Sequence, residues 1–276
     1  MTSIRIGKTL RLLILVVGAA IMITPFVYMV STSFKPQAYV LTFPPEFIPK
    51  EPTVQNYVNA WTKQDFSRYT WNSTVVTIIS TAASVFLSAM MAYSFARFRF
   101  VGRKVLFAII MIGLMVPGMT LIVPQFVLAK NLRLLDSHAG LVLFYIATTM
   151  ALNTFLLRSF FQGVPMELDE AMQVDGANVW TRFWHLALPL ARPALATATI
   201  FTFLACWDEF AWALTIINDP QKRTLPIAIQ LYQGQNATQW GLVFAASIIA
   251  VIPVIAVFLI FQRHFVQGLQ TGALKG

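Results

Sequence analysis

The sequence predicts an all-α, polytopic membrane helix bundle with six transmembrane helices. Three observations carry that prediction: how few charges the chain holds, how far apart they stand, and which apolar segments the basic residues flank.

The 276 residues are 57% hydrophobic and only 11% charged. A soluble domain of average composition carries roughly a quarter charged residues. With so little charge, a chain dissolved in water would expose large apolar patches and aggregate. The solvent for most of this surface is therefore lipid. A formal net charge of +9 would raise the question of nucleic acid in a soluble protein. Here the basic residues lie in short segments between apolar runs, which reads as topology signal and lipid headgroup contact. The single cysteine, Cys206, lies inside an apolar run and is expected to be a small buried hydrophobe.

No Asp, Glu, Lys or Arg occurs between Arg11 and Lys35, Arg68 and Arg97, Lys104 and Lys130, or Asp136 and Arg158. Two further apolar runs are Pro193 to Thr215, interrupted by Asp208 and Glu209, and Gly241 to Gln262. Each can supply the ~20 residues that cross a hydrocarbon layer of ~30 Å as a helix. The expected spans are 11–33, 71–95, 105–126, 139–158, 194–216 and 241–262, all in one transmembrane domain over residues 1–276. The prolines inside the third and sixth (Pro117, Pro124, Pro253) are tolerable where neighbouring helices satisfy freed carbonyls. Arg5, Lys8 and Arg11 precede the first run as they would in a signal peptide, but Leu12 to Phe34 exceeds the 7–15-residue core of one. It is expected to remain as a span.

With the N-terminus inside, twelve basic residues face inward, against eight outward: Lys35, Lys50, Lys63, Arg68, Lys130, Arg133, Lys222 and Arg223. The cluster Arg97, Arg99, Arg103 and Lys104 weighs most, because short loops set topology. Both termini are then expected in the cytoplasm.

Two expected outer loops, 34–70 and 218–240, are long, polar and aromatic. They suit either a folded docking surface or solvated connectors. The sequons at Asn72 and Asn236 carry no meaning if the source is bacterial.

No reactive constellation stands out. His138, His185 and His264 are scattered, and there is no HExxH, no GxSxG and no phosphate loop ending in Gly-Lys-Ser/Thr. The chain is expected to be non-catalytic, with no cofactor or metal of its own. Asp208 and Glu209 are the only acids expected at membrane depth, adjacent on one helix and so pointing about 100° apart.

The loop 159–193 is the informative segment. Pro165 suits a first helical position, and Glu167, Asp169 and Glu170 favour a helix N-terminus. Gly176 suits the left-handed residue that ends such a helix. A short helix of about ten residues is expected, then a second amphipathic one (Phe183, Trp184, Leu186) stopping near Leu188-Pro189. Physics alone leaves both a structural connector and a lever open.

The words Glu170-Ala171-Met172, Asp175-Gly176-Ala177, Phe183, Leu188-Pro189-Leu190 and Pro193-Ala194-Leu195 resemble the EAA loop of binding-protein-dependent ABC importer permeases. Phe155 to Phe161 before them, Trp207-Asp208-Glu209-Phe210 after them and the tail from Gly268 to Gly276 extend the match to nearly the whole chain. The chain resembles the carbohydrate-uptake permeases of the maltose-transporter type, in particular the smaller six-span partner. It departs at Met172, where the motif has Ala, and at Asp208, where the family usually has Asn.

The resemblance implies a type I ABC importer permease fold in a bacterial plasma (inner) membrane. It implies that Glu170, Ala171, Met172, Asp175, Gly176, Ala177, Phe183, Leu188 and Pro189 couple to a cytoplasmic ATPase, and that the tail from Phe265 reaches it. ATP and Mg would be bound by that ATPase and not by this chain. The implied partners are a second permease, expected to be a different chain that makes most of the sugar contacts, two ATPase subunits, an extracytoplasmic solute-binding protein and a sugar. Candidate translocation-pathway residues are Asn153, Trp207, Asp208, Glu209 and Trp212. The alternative is an ion-coupled secondary transporter subunit. It would explain six spans and two intramembrane acids, but predicts paired broken helices in symmetric halves that the sequence does not show.

Overall fold

A computed structural model describes residues 2–40, 42–62, 65–234 and 238–273. Lys63, the Asn236 sequon and the last three residues of the tail motif lie outside the described residues, as do the side chains of Arg5 and of the tail beyond Arg263.

The elements are α1 (Thr2–Ser33), α2 (Gln55–Thr62), α3 (Phe66–Arg97), α4 (Arg103–Met115), α5 (Ile122–Asn131) and α6 (His138–Gly163). Then come α7 (Met166–Val174), α8 (Val179–Arg182), a π-helical turn Phe183–Ala187, α9 (Leu188–Leu190) and α10 (Arg192–Trp207). The last three are α11 (Ala211–Ile216), α12 (Leu225–Leu231) and α13 (Trp240–Ala273). Among the described residues no β-strand occurs, only one isolated bridge between Gln233 and Thr238. The all-α expectation holds.

Four helices are long and apolar enough to cross a membrane unaided: Leu10–Ser33, Phe66–Arg97, His138–Gly163 and Trp240–Arg263. Two bent pairs, Arg103–Met115 with Gly118–Asn131 and Val179–Leu190 with Arg192–Trp207, bring the number to the expected six if each is one span. The third span, expected as one helix over 105–126, breaks after Met115 and turns by 97°. Val116 and Pro117 are extended (ψ 118° and 125°), because the proline ring disfavours a helical residue before it and removes the next donor. Pro124 does no such harm, since it lies in the first turn of α5, where the N–H has no helical partner anyway.

The fifth span, expected over 194–216, ends instead at Trp207. Asp208 and Glu209 are therefore not consecutive helical residues. Asp208 caps the C-terminus of α10, and Glu209 lies in the break before α11. On its other side α10 meets the segment Val179–Leu190 at 77°. That segment stays helical through Leu188-Pro189 and stops at Ala191, later than the sequence suggested.

The chain forms two compact units, Met1–Ser67 with Ala228–Val251, and Arg68–Ile227 with Ile252–Gly276. In the first, the best apolar window of α1 has no buried residue, so its side chains are left for lipid or another chain. Past α1 the 34–62 segment folds on hydrogen bonds. Asn56 Nδ2 donates to the carbonyls of Ser33 and Lys35 at 2.8 Å each, and Tyr57 Oη pairs with Ser33 Oγ at 2.7 Å. Tyr232 Oη donates to Ala60 O at 2.8 Å, and Gln37 Nε2 to Thr238 O at 3.0 Å. Gly241 is required here, because a Cβ would sit 2.7 Å from Asn56 Nδ2. This loop is a packed structure held by named contacts.

In the second unit, α3 buries a stripe of small residues: Ser73, Thr77, Ser80, Ser84, Ser88 and Ala92. The spacing of three or four places them on one helix face. Small residues let backbones approach closely in a membrane, where lipid is as apolar as leucine and packing must supply the attraction. Two apolar clusters flank the stripe. One holds Val76, Leu141, Tyr145, Trp212 and Ile216, the other Val85, Ala89, Leu157, Phe161, Phe183 and Ala198. Cys206 is buried in the first, as expected.

The α5–α6 turn is tied to the 217–223 loop through Asp136. Its Oδ1 accepts from the backbone N–H of Asp219 at 3.0 Å and of Asn218 at 3.1 Å. The Asp219 amide is the main reason this carboxyl titrates below its usual range; Lys222 adds to the effect. His138 Nε2 pairs with Lys222 O at 3.0 Å.

Candidate functional site

The segment 164–191 is built from the end of α6 to the start of α10. Pro165 precedes α7 with extended geometry (φ −53°, ψ 138°), fixing the direction in which the helix starts. The helix runs nine residues, Met166–Val174. It ends in two paired hydrogen bonds, Gly176 N–H to Gln173 O at 3.1 Å and Ala177 N–H to Met172 O at 2.9 Å. These close a Schellman turn, whose pivotal residue must be left-handed. Gly176 fills it with φ +82°. Asn178 then caps α8 by accepting from Thr181 N–H at 2.9 Å. Arg182 Nη1 donates to Gln173 Oε1 at 3.1 Å, holding α8 against α7.

The two sides of α7 differ. Glu170, Ala171, Asp175 and Gly176 are exposed, and Met172 and Ala177 are half-buried. A side chain added at Gly176 would meet nothing within 4 Å. Val174 at 87% and Trp180 at 58% exposure extend this open, partly apolar face. Phe183 is buried and Leu188 packs beside it in the inner apolar cluster, while Pro189 is exposed. The predicted residues thus divide into an open face and two apolar anchors.

Asp169, which sequence reading treated only as a helix-terminal charge, points the other way and is buried. Its Oδ2 lies 2.8 Å from Arg97 Nε, with both side chains under 10% exposed, and its Oδ1 accepts from Tyr93 Oη at 2.9 Å. Arg97 Nη2 also donates to Val164 O at 3.1 Å. A signal existed in the sequence: Tyr93 and Arg97 are four apart, hence on one face at the end of α3.

The five pathway candidates do not form one group. Asn153 is 1% exposed and donates to Ser84 Oγ at 3.1 Å and Thr202 Oγ1 at 2.8 Å, joining α6, α3 and α10. Trp207 is buried and stacked on Phe203, with ring centroids 5.6 Å apart. Trp212 is buried and stacked on Phe144 at 4.5 Å. Glu209 Oε1 accepts from Trp212 N–H at 2.7 Å, and its Oε2 accepts from Ala213 N–H at 3.0 Å and Tyr145 Oη at 2.9 Å. Those amides would otherwise bond the carbonyls of Asp208 and Glu209 in a continuous helix. The side chain takes the place of the backbone and lets α10 stop and α11 begin. Asp208 is exposed.

A buried-anchored short helix with an open outer face, hung between two spans, is what a family comparison must account for. The model for binding-protein-dependent transport system inner membrane components matches residues 84–271. The chain belongs to this family. The match takes in α7, the Gly176 turn and the α10–α11 break, and it makes the chain a membrane permease component of a transport system.

Relatives of the permease cover nearly all of it. The sulfoquinovosyl glycerol transport system permease protein SmoH of Agrobacterium fabrum is 35% identical over 98% of this chain and 95% of its own. The trehalose/maltose transport system permease protein MalG of Thermococcus litoralis is 34% identical over 98% of this chain and 99% of its own. Among solved structures, a chain of a bacterial ABC transporter that imports the acidic polysaccharide alginate superposes with a TM-score of 0.81 at 25% identity. It covers 96% of this chain and 98% of that one. The type I importer permease fold implied by the EAA words is the fold observed.

Proposed function

We propose that this chain is one of two permease subunits of an ATP-driven, binding-protein-dependent sugar importer. The observation that carries the proposal is α7: a nine-residue helix with a buried root and an unpartnered outer face formed by Glu170, Ala171, Asp175 and Gly176. The sugar class is supported by relatives named for sulfoquinovosyl glycerol, for trehalose/maltose and for alginate.

In this reading α7 docks on a cytoplasmic ATPase, with Met172, Ala177, Phe183, Leu188 and Pro189 supporting the docked face. ATP and Mg are held by two ATPase subunits, and this chain contributes no cofactor site. Both termini are cytoplasmic. A second, different permease completes the pathway, and an extracytoplasmic solute-binding protein delivers sugar to the folded 34–62 region. Closure of the ATPase dimer is passed through α7 as a rigid-body movement.

The test is co-expression with the neighbouring transporter genes, purification through a tag on this chain, and reconstitution into vesicles. The expected result is a complex containing an ATPase and a second permease, whose ATP hydrolysis rises when the sugar-loaded binding protein is added. A chain that purifies alone and moves sugar with an ion gradient would overturn the reading. Reporter fusions give the orientation independently: residue 175 should read inside and residue 230 outside.

A further inference from the structure

We infer that Asp169, Arg97 and Tyr93 form a latch that fixes the root of α7 to the end of α3, so that the coupling helix moves with the transmembrane bundle and not ahead of it. The inference rests on the proposed importer function and goes beyond it, because these residues lie on the face of α7 turned away from the ATPase.

Consider first what a loop helix would do without the latch. A nine-residue helix entered through a proline and left through a glycine is free to pivot at both ends. Isolated helices this short are marginal, so its rigidity must come from tertiary contacts. A pivoting helix would absorb a push from an ATPase instead of transmitting it.

The contacts that remove this freedom converge on the first turn. Arg97 spans Pro165. Its Nη2 holds Val164 O at 3.1 Å before the proline, its Nη1 lies 3.5 Å from Met166 Sδ just after it, and its Nε lies 2.8 Å from Asp169 Oδ2 within the helix. The remaining carboxylate oxygen takes the Tyr93 hydroxyl at 2.9 Å. The Tyr93 ring then packs on Phe161 at the end of α6, at 5.7 Å, and on Phe183 in the π-helical turn, at 5.5 Å. One carboxylate therefore locks α7 to α3, while the tyrosine it holds braces α6 and the segment leading to α10.

Charge and burial support a positioning role over a stabilising one. Taking an ion pair out of water is costly, and apolar replacement of both partners is often neutral or stabilising. The carboxylate is instead held at both oxygens, by the charge of Arg97 beside Oδ2 and by the Tyr93 hydroxyl on Oδ1, which apolar packing does not provide. Glu170, the next residue, points outward into the open face. Adjacent acids, about 100° apart around the helix, thus serve different faces, one toward α3 and one toward the partner.

The test uses the whole transporter in proteoliposomes, measuring ATP hydrolysis with and without the sugar-loaded binding protein, alongside sugar uptake. Arg97→Met with Asp169→Leu removes both charges together and keeps apolar bulk, so the complex should assemble. The stimulation ratio and the uptake per ATP should fall on the order of tenfold, within the range usual for coupling between sites. Tyr93→Phe keeps the ring contacts and loses one hydroxyl, so it should assemble fully and lower the ratio by a smaller factor. A double variant that assembles with wild-type stimulation and wild-type uptake per ATP overturns the latch. If the double variant does not assemble, Tyr93→Phe decides: an unchanged ratio overturns the latch, and a lowered one upholds it. A wild-type chain that never yields a binding-protein-stimulated ATPase overturns the importer reading itself, a separate failure.

Discussion

Tyr145 on α6 donates its hydroxyl to Glu209 Oε2 across 2.9 Å, and the same carboxylate caps α11 through the amides of Trp212 and Ala213. All three donors belong to residues packed around the apolar cluster that holds Tyr145 and Trp212. Glu209 therefore sets the break in the fifth span, and its oxygens are already engaged within the chain.

The prediction is that Glu209→Ala lowers the thermal midpoint of the purified complex, because two buried amides and a hydroxyl lose their acceptor. Each unsatisfied buried group costs roughly 1–3 kcal/mol. Tyr145→Phe removes one donor and no acceptor, so its effect should be the smaller of the two. Thermal unfolding in detergent, followed by loss of monodispersity, reads both. Equal midpoints for wild type and Glu209→Ala would mean that the break forms without the carboxylate.

Gly176 gives a prediction about backbone alone. Its φ of +82° is the left-handed value, and a Cβ there would touch nothing within 4 Å. Substitution by Val thus costs only conformational strain, about 1–2 kcal/mol. Insertion should be normal, ATPase co-purification weak and uptake lost. Gly176→Asn, which tolerates this geometry better, should recover part of the docking. Full uptake by Gly176→Val would show that the turn can open without consequence.

Asn153 gives a prediction about placement. At 1% exposure it is held by Ser84 and Thr202 on two other helices. Hydrogen bonds between membrane helices contribute about 0.6–2 kcal/mol. Asn153→Leu is expected to lower the stability of the complex by that order and to leave the sugar concentration for half-maximal uptake unchanged. A shifted half-maximal concentration at unchanged stability would instead place Asn153 in the sugar's path.

Much of this architecture was legible in the sequence, for identifiable reasons. Charge-free runs such as 69–96 and 137–157 can only be satisfied by lipid, so α3 and α6 were readable to within a few residues. The Gly176 turn was readable because one residue type dominates that backbone position. The breaks were harder. Pro117 and Pro124 looked equivalent in sequence, yet only Pro117 sits mid-span without a helix start to absorb it. Glu209 looked like a second intramembrane charge, but its role depends on where Tyr145 lies in space, 64 residues earlier in the chain. Asp169 was hidden for a similar reason. Helical periodicity places it about 100° from Glu170 without saying which of the two faces the bundle. Only Arg97 and Tyr93 decide that, and they come from another span.

Asp208 gives the last prediction. It ends α10, its backbone N–H bonds Leu204 O at 3.0 Å, and its side chain is exposed. Unlike Glu209, its carboxylate accepts no hydrogen bond among the described residues. A carboxylate left unpaired in a span costs roughly 2.5–3.5 kcal/mol at the bilayer centre on insertion scales, and less near the interface. The break at residues 208–210 reduces that cost only if it opens toward water or toward a polar partner helix. Lipid can supply neither, so in the proposed importer the side chain is expected to face the pathway or the second permease. The family resemblance implies Asn at this position, a side chain that keeps hydrogen bonding and drops the charge. Asp208→Asn is therefore expected to retain most uptake, whereas Asp208→Leu is expected to reduce it. The two faces separate by a second measurement, recovery of the intact complex. Asp208→Leu in a fully assembled transporter with poor uptake places the residue on the sugar's route, and loss of the second permease from the complex places it at the interface. Complete loss of uptake in an assembled Asp208→Asn transporter would contradict both, because it would make the charge itself essential and point to a proton or ion moving with the sugar.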